Sequence, residues 1–171
     1  MFMKEKCLFC RIVIGLIFFL LAEVVFAQNG NYRLFHIERN KNKNIVCYDL
    51  CVRNGAIDAK NPVQGYWINM PEKEREELSS IEKKYAYGWT CKKIDENTYK
   101  MTMVAFKKNF IIITYDPKTN TAKACITQNG KEIQLKKIEA NTKAPFHVSV
   151  NYVNAHGVDK HTGKNTVQKI M

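Results

Sequence analysis

The sequence predicts a mostly β fold, in which an antiparallel meander forms a barrel or a sandwich with one packed helix. Apolar and polar residues alternate along many short segments, as they do in strands with one buried face. Turn-forming residues separate these segments at the spacing typical of an all-β domain. One stretch with helical periodicity interrupts the series and supplies the helix.

Residues 1–27 have the composition of an export signal. Basic residues precede an apolar run at 12–22, and Val25-Phe26-Ala27 fits a cleavage site. The run is too short to cross a hydrocarbon core about 30 Å thick as a stable helix. We therefore expect cleavage near Ala27, a periplasmic or secreted protein with no transmembrane anchor, and a single β-rich domain over residues 28–171.

Alternation and turn residues together define the strands. Asn129-Gly130, between two alternating runs, is the strongest hairpin signal. Five strands follow one another through short turns between residues 88 and 138, so we expect neighbours to pair as an antiparallel meander. Residues 155–171 are interpreted as a final hairpin or a mobile tail. The predicted strands are 32–38, 44–53, 63–68, 88–94, 98–106, 110–115, 121–128, 131–138 and 146–154.

The helix is predicted to begin at Pro71 and to end before Gly88. Proline is favoured at a first helical position, glutamates crowd the first turns and lysines lie near the end. Leu78, Ile81 and Tyr85 share one face of such a helix. This charge layout offsets the helix dipole without a partner, which favours a structural role.

Positive charge dominates the chain beyond the export signal. The signal holds three basic and two acidic residues, so the remainder keeps a formal charge of +10 out of +11. Paired lysines at predicted strand ends give solubility and protect sheet edges. They also fit an anionic partner. Export excludes nucleic acid, which leaves an anionic component of the envelope or a small ligand.

Four cysteines follow the signal. Cys47 and Cys51 lie in one predicted strand, about 13 Å apart, and a disulfide requires less than about 7 Å. They can therefore bridge only to Cys91 or Cys125, or all four remain thiols. The spacing is not that of a zinc site.

The densest polar cluster begins at His36 and continues to Asp49. Catalysis would use His36 as a general base, Asp49 to orient it and Arg39 to hold an anion. Structurally, the asparagines form a loop and Arg39 pairs with Asp49 across it. We favour the structural interpretation because no nucleophile or second histidine accompanies the cluster. As a ligand site, its candidate binding residues are His36, Arg39, Asn40, Asn44, Tyr48 and Asp49.

Histidines elsewhere do not predict a metal site. His156, His161 and Asp159 have neither helical nor strand ligand spacing, and a turn capped by Asp159 explains them more simply. We expect no metal and no cofactor. An aromatic group surrounds the helix and its flanking strands, and we expect core packing from it rather than a pocket. Its members are Tyr66, Trp67, Tyr85, Tyr87, Trp89 and Tyr99.

The chain resembles an exported bacterial family, domain-of-unknown-function family 4833. The resemblance rests on His36-Ile37-Glu38-Arg39-Asn40-Lys41-Asn42-Lys43-Asn44-Ile45-Val46-Cys47-Tyr48-Asp49, on Gly65-Tyr66-Trp67-Ile68 and Ala86-Tyr87-Gly88, and on Tyr152-Val153, Gly157-Val158-Asp159 and Thr162-Gly163. It implies a signal peptide and a single domain, and it carries over no activity or catalytic residue.

These observations predict a binding or structural module of the cell envelope rather than an enzyme. The alternative is a small hydrolase that uses His36, Asp49 and Arg39. A binding module should keep its stability and fold when His36 is changed, whereas a hydrolase should lose a measurable activity. The most informative structural observation is whether the β layer encloses a cavity, and which side chains line it.

Overall fold

The computed structural model describes residues 29–40, 42–142 and 150–171. Both the predicted export signal and the first residues of the strand predicted at 146–154 lie outside these ranges. A short helix, α1, continues as a π-helical turn at Lys83–Tyr87. The elements in chain order are β1 (Gly30–Arg39), β2 (Asn42–Arg53), β3 (Ala56–Ile57), β4 (Val63–Asn69), β5 (Glu74–Glu77), α1 (Ser80–Glu82), β6 (Trp89–Asp95), β7 (Thr98–Met103), β8 (Phe110–Asp116), β9 (Thr121–Gln128), β10 (Lys131–Thr142), β11 (Val150–Asp159) and β12 (Asn165–Lys169).

The strands form a curled half-barrel sheet organised around β10. β11 pairs along one edge of β10, while β9 pairs with the first half of the other edge and β1 with the second half. Two arms therefore diverge from the same edge of β10. One arm runs β1, β2, β4, β5, and the other runs β9, β8, β7, β6. A register shift between Leu135 and Lys137 lies where the arms separate.

The inner faces of the two arms enclose the core. Tyr48 is fully buried, stacks on Phe35 with 4.8 Å between ring centroids, and donates a hydrogen bond to the Tyr87 carbonyl. Trp89 of β6 packs directly onto Gly65 of β4. A Cβ at position 65 would lie 2.6 Å from that indole ring, so only glycine allows the arms to approach this closely.

The predicted meander is confirmed. β6 to β10 pair successively and antiparallel, and β1 to β2 and β2 to β4 are antiparallel as well. Asn129 and Gly130 both have positive φ, as a tight hairpin turn between β9 and β10 requires. The local turn chemistry therefore determined these connections.

The predicted helix start at Pro71 is wrong. The glutamates of residues 74–77 form the exposed edge strand β5, and helical structure begins only at Ser80. Ser79 and Glu82 form a capping box there, which fixes the start. Alternating charges suit an exposed sheet edge as well as a helix surface. Residues Lys83–Tyr87 end before Gly88, as predicted.

The C-terminal residues form the final hairpin that was one of the two expected outcomes. β12 pairs with β11, and the Met171 and Val153 backbones are hydrogen-bonded beyond it. β2 is extended across Cys47 and Cys51, and the four cysteines in the described part of the chain are free thiols. Neither helical stretch among the described residues has the length and apolar character of a membrane-spanning helix.

Candidate ligand-binding groove

Asp49 pairs with Arg33, not with Arg39 as predicted. Arg33 Nε donates to one carboxylate oxygen of Asp49 and the Tyr66 hydroxyl donates to the other, each at 2.5 Å. Asp49 is buried, so the charge of Arg33 compensates it where water cannot. Burial, followed by the hydrogen bond to Asp49, raises the pKa of Tyr66.

Strand register explains the corrected pairing. In the β1–β2 hairpin, Arg33 lies opposite Asp49, whereas Arg39 lies opposite Asn42. Seven residues of extended chain separate Asn42 from Asp49, which amounts to about 23 Å. Arg39 is the last residue of β1 and Asn42 the first of β2, so the pairing of the two strands keeps Arg39 far from Asp49.

His36 belongs to a separate polar contact. Its Nε2 lies 2.9 Å from Glu38, whose other carboxylate oxygen accepts from Lys137 at 2.7 Å. Although burial raises the pKa of Glu38, hydrogen bonds from Lys137 and His36 outweigh it, and the net shift is downward. His36, Asp49 and Arg39 therefore each have different partners, and the arrangement predicted for a hydrolase is not assembled.

Three other candidate residues hold the fold together. Asn40 accepts from the backbone N–H and hydroxyl of Thr142, while Asn44 accepts from the backbone N–H of Met70. Tyr48 lies in the core. Of the six predicted binding residues, Arg39 alone lines the groove described below.

Arg39 extends across an aromatic surface at the end of β1. Its guanidinium carbon lies 5.3 Å from the Trp67 ring centroid and 5.8 Å from that of Tyr87. Such stacking holds a cation through the negative faces of the rings. Within the described residues, Nε of Arg39 is buried without a hydrogen-bond partner. The guanidinium is thus held at this position mainly by ring contacts.

Arg39 lines a groove of about 430 Å³ between the helical segment and the ends of β1, β10 and β11. This volume lies in the range of small-molecule pockets, and the lining is mostly apolar. The loop after β7 and the C-terminus complete its walls. The lining residues are Ile37, Arg39, Ile81, Glu82, Tyr85, Ala86, Tyr87, Ala105, Phe106, Ile138, Ala140, Thr142, Val150, Val153 and Met171.

Several large apolar side chains in this groove face solvent. Ile81 is 72% exposed and Tyr85 67%, and Val150 and Met171 are exposed as well. Four of the seven exposed large hydrophobic side chains in the described ranges therefore line this one groove. An apolar surface gathered in this way is typical of a binding site, whereas scattered single residues are not.

Glu82 is the acidic residue of the groove, and it is engaged by its neighbours. It accepts hydrogen bonds from the backbone and hydroxyl of Ser79 and from the indole of Trp67. Burial raises its pKa, but these bonds and the charge of Arg39 together lower it. Glu82 thus fixes the helix against the sheet and does not form an ion pair with Arg39 among the described contacts.

Cations surround the Arg39 end of the groove. Lys43 and Lys73 line a neighbouring open cleft to which Arg39 also contributes. Lys84 lies over the ring of Tyr85, 5.0 Å from its centroid. None of these four cations forms an ion pair with a described residue, which leaves the rim positively charged.

The other predicted features have structural roles. Asp159 accepts from the backbone N–H of His161 and of Thr162, which confirms the predicted turn, and His156 faces Glu139. No group of three potential metal ligands occurs in the part of the chain described. His147 lies outside the described residues. Of the aromatic group, Tyr85 is exposed, whereas Tyr66, Trp67, Tyr87 and Tyr99 are buried as expected.

Sequence reasoning missed most residues of the groove. Ile81 and Tyr85 were predicted only to share one helix face with Leu78, and the sequence predicted no site from the apolar residues of β11 and the C-terminus. The capping sequence from Ser79 to Glu82 is a local signal that would have moved the helix start and separated Leu78, which is buried, from Ile81.

The described residues form a mostly β fold with a lined groove at the end of β1. The family model described as domain of unknown function DUF4833 matches residues 35–169. The chain therefore belongs to this family, as its sequence resemblance indicated. Comparison with curated proteins and with solved structures gave no match.

Proposed function

We propose that this protein is an exported binding module of the cell envelope, and that it holds a small, largely apolar ligand in the Arg39 groove. One observation carries the proposal: exposed apolar side chains and a stacked arginine line the same 430 Å³ groove. Apolar walls with a few placed polar groups are the usual composition of a ligand site.

Energetics favour an occupied groove. Covering a large aliphatic or aromatic side chain contributes about 1.5–3 kcal/mol relative to leaving it in water. Ile81 and Tyr85 gain little of this in the fold itself, because both remain largely exposed. Burial of these two side chains by a ligand would therefore contribute favourably to the free energy of binding.

The positive charge of the chain is consistent with a protein that binds ligands at the anionic surface of the cell envelope. It favours encounter with anionic surfaces and ligands, and this attraction weakens with salt. The signal-like residues 1–27 support export to that compartment.

A dye titration tests the proposal. Wild-type chain from Gln28 onward should bind 1-anilinonaphthalene-8-sulfonate, whose fluorescence rises in apolar surroundings, at one saturable site. Ile81→Ser should weaken binding by about tenfold, because it removes one apolar wall. Ile94→Ser is the matched control, because Ile94 is 56% exposed on β6 and is absent from the groove.

The control also separates specific from general dye adsorption. Ile94 lies beside the exposed Lys92 and Lys93, which would attract the dye non-specifically. Equal weakening by both substitutions, or no saturable binding at all, would refute the groove as a binding site. Circular dichroism of each variant establishes that the fold is intact.

A further inference from the structure

We infer that the ligand of the Arg39 groove is a single-chain carboxylate amphiphile, with its carboxylate at Arg39 and its acyl chain along the apolar walls. This inference rests on the proposed binding function and adds the chemical class of the ligand. Three features support it: the polarity of the lining, the size of the groove and the distribution of charge at its rim.

The groove has two chemically different parts. Ile37, Ile138 and Val153 form an apolar floor, and the exposed Ile81 and Tyr85 form the wall on the helical side. Such walls match a hydrocarbon chain, which has no hydrogen-bonding needs of its own. A volume of 430 Å³ is near the lower end for small-molecule sites, so it fits one chain better than two.

Charge at the groove selects an anion. The guanidinium of Arg39 lies at the end of the apolar floor, where its planar fork can hold a carboxylate through two hydrogen bonds. The charge of Glu82 acts on Arg39, but neither nearby carboxylate accepts a hydrogen bond from the guanidinium among the described contacts. Glu82 is taken up by Ser79 and Trp67, and Glu38 by Lys137 and His36.

The remaining rim charges strengthen this selection. Lys43 and Lys73 lie on one side of Arg39 in the open cleft, and Lys84 lies over Tyr85 on the helical side. All are positive, so the approach to the groove favours an anion over a neutral or cationic amphiphile.

Calorimetric titration with a homologous series tests both parts of the ligand. Octanoate, decanoate and dodecanoate, each below its micelle concentration, should bind progressively tighter, by up to about fifteenfold for each added pair of methylenes. Decanoate should bind at least about tenfold tighter than decanol, because a hydrogen bond to a charged group contributes more than one to a neutral group. Decyltrimethylammonium should bind more weakly than decanol.

Variants assign these two effects to residues. Arg39→Gln should abolish the preference for decanoate over decanol, measured as the ratio of the two dissociation constants, and Arg39→Lys should retain part of the preference. Lys118→Gln is the charge-matched control. Lys118 is exposed in the turn between β8 and β9, where Asn120 contacts Tyr32 at the opposite end of β1.

The outcomes separate this inference from the proposed function. If decanol and decanoate bind equally to wild type, and Ile81→Ser weakens both, the groove binds apolar ligands but the anionic class is overturned. A preference for decanoate that Lys118→Gln reduces as much as Arg39→Gln overturns the role of Arg39. Affinity that does not change with chain length overturns the placement of the acyl chain.

Discussion

The two ends of β1 differ in whether the aromatic side chains near them are packed together or exposed to solvent. At the start of the strand, Tyr32 and Tyr115 pack with 5.5 Å between ring centroids, and both hydroxyls donate to the side-chain oxygen of Asn120. At the other end, Arg39 adjoins a groove whose wall includes the exposed Tyr85. We call these the closed end and the open end. The comparison indicates that the aromatic residues at the closed end pack together, whereas at the open end one of them, Tyr85, remains exposed in the wall of a groove.

The largest expected effect is on the free energy of unfolding, when one tyrosine at each end is replaced by alanine. Tyr115→Ala should lower the free energy of unfolding by about 3–5 kcal/mol, because it empties a buried aromatic site. Tyr85→Ala should change it by no more than about 0.5 kcal/mol, because the ring is exposed. Urea denaturation measures both. Comparable losses would mean that the open end is part of the folding core.

A smaller effect is expected from the polar contact that holds the open end. Asn40→Ala should cost about 1–3 kcal/mol, since it removes the acceptor of the Thr142 backbone N–H and hydroxyl in a buried position. Asn151→Ala is the control, because that asparagine forms one exposed side-chain hydrogen bond, to Asn141. Thermal melts compare the two variants. If the two variants have the same melting temperature, the open end is fixed by packing rather than by hydrogen bonding.

The smallest effects concern pH, and their directions differ between the ends. The pKa of Glu82 at the open end is lowered from 4.5, so its contribution to stability is present above pH 4.5 and is lost as pH falls through the folded pKa. At the closed end, burial and the side-chain interaction with Tyr32 raise the pKa of Tyr115 from 10.0 to about 12. That contribution is present below pH 10 and is lost as pH rises toward 12.

Stability curves against pH measure these contributions. Glu82→Gln should flatten part of the acid limb, with the remainder due to other lowered carboxylates such as Glu38 and Asp159. Tyr115→Phe should flatten part of the alkaline limb, with the remainder due to other groups of raised pKa such as Tyr66 and Tyr87. Glu96→Gln, in an exposed turn, serves as the control. Acid limbs of equal slope in wild type and Glu82→Gln would contradict the role given to Glu82.

Local chemistry predicted the meander but not the segment before α1. Asn129-Gly130 favours a tight turn over other conformations, so these two residues were enough to predict the hairpin between β9 and β10. The glutamates of β5 fit both an exposed helix surface and an exposed edge strand. Only pairing with β4, a tertiary contact, decides between them.

The candidate site was harder to predict than the fold. Arg39 was identified from the polar cluster, but the partner of Asp49 depends on register, which bulges near Arg33 and Arg39 shift. The groove combines segments from the first strand to the C-terminus. No local pattern contains that information, because the exposure of Ile81 becomes visible only when the helical segment is placed on the sheet.

The shared edge of β10 has a consequence for how the chain folds. β2 can pair with β1 as soon as the hairpin between them has formed, but the other edge of β1 has no partner until β10 is present. The Asn40–Thr142 contact beside this pairing joins residues 102 positions apart. Closing so long a loop carries an entropic cost that no local contact offsets, and non-local pairing of this kind slows folding. The first strand therefore remains open on one side during synthesis, as an unpaired β edge that invites association with other chains until the last third of the protein arrives.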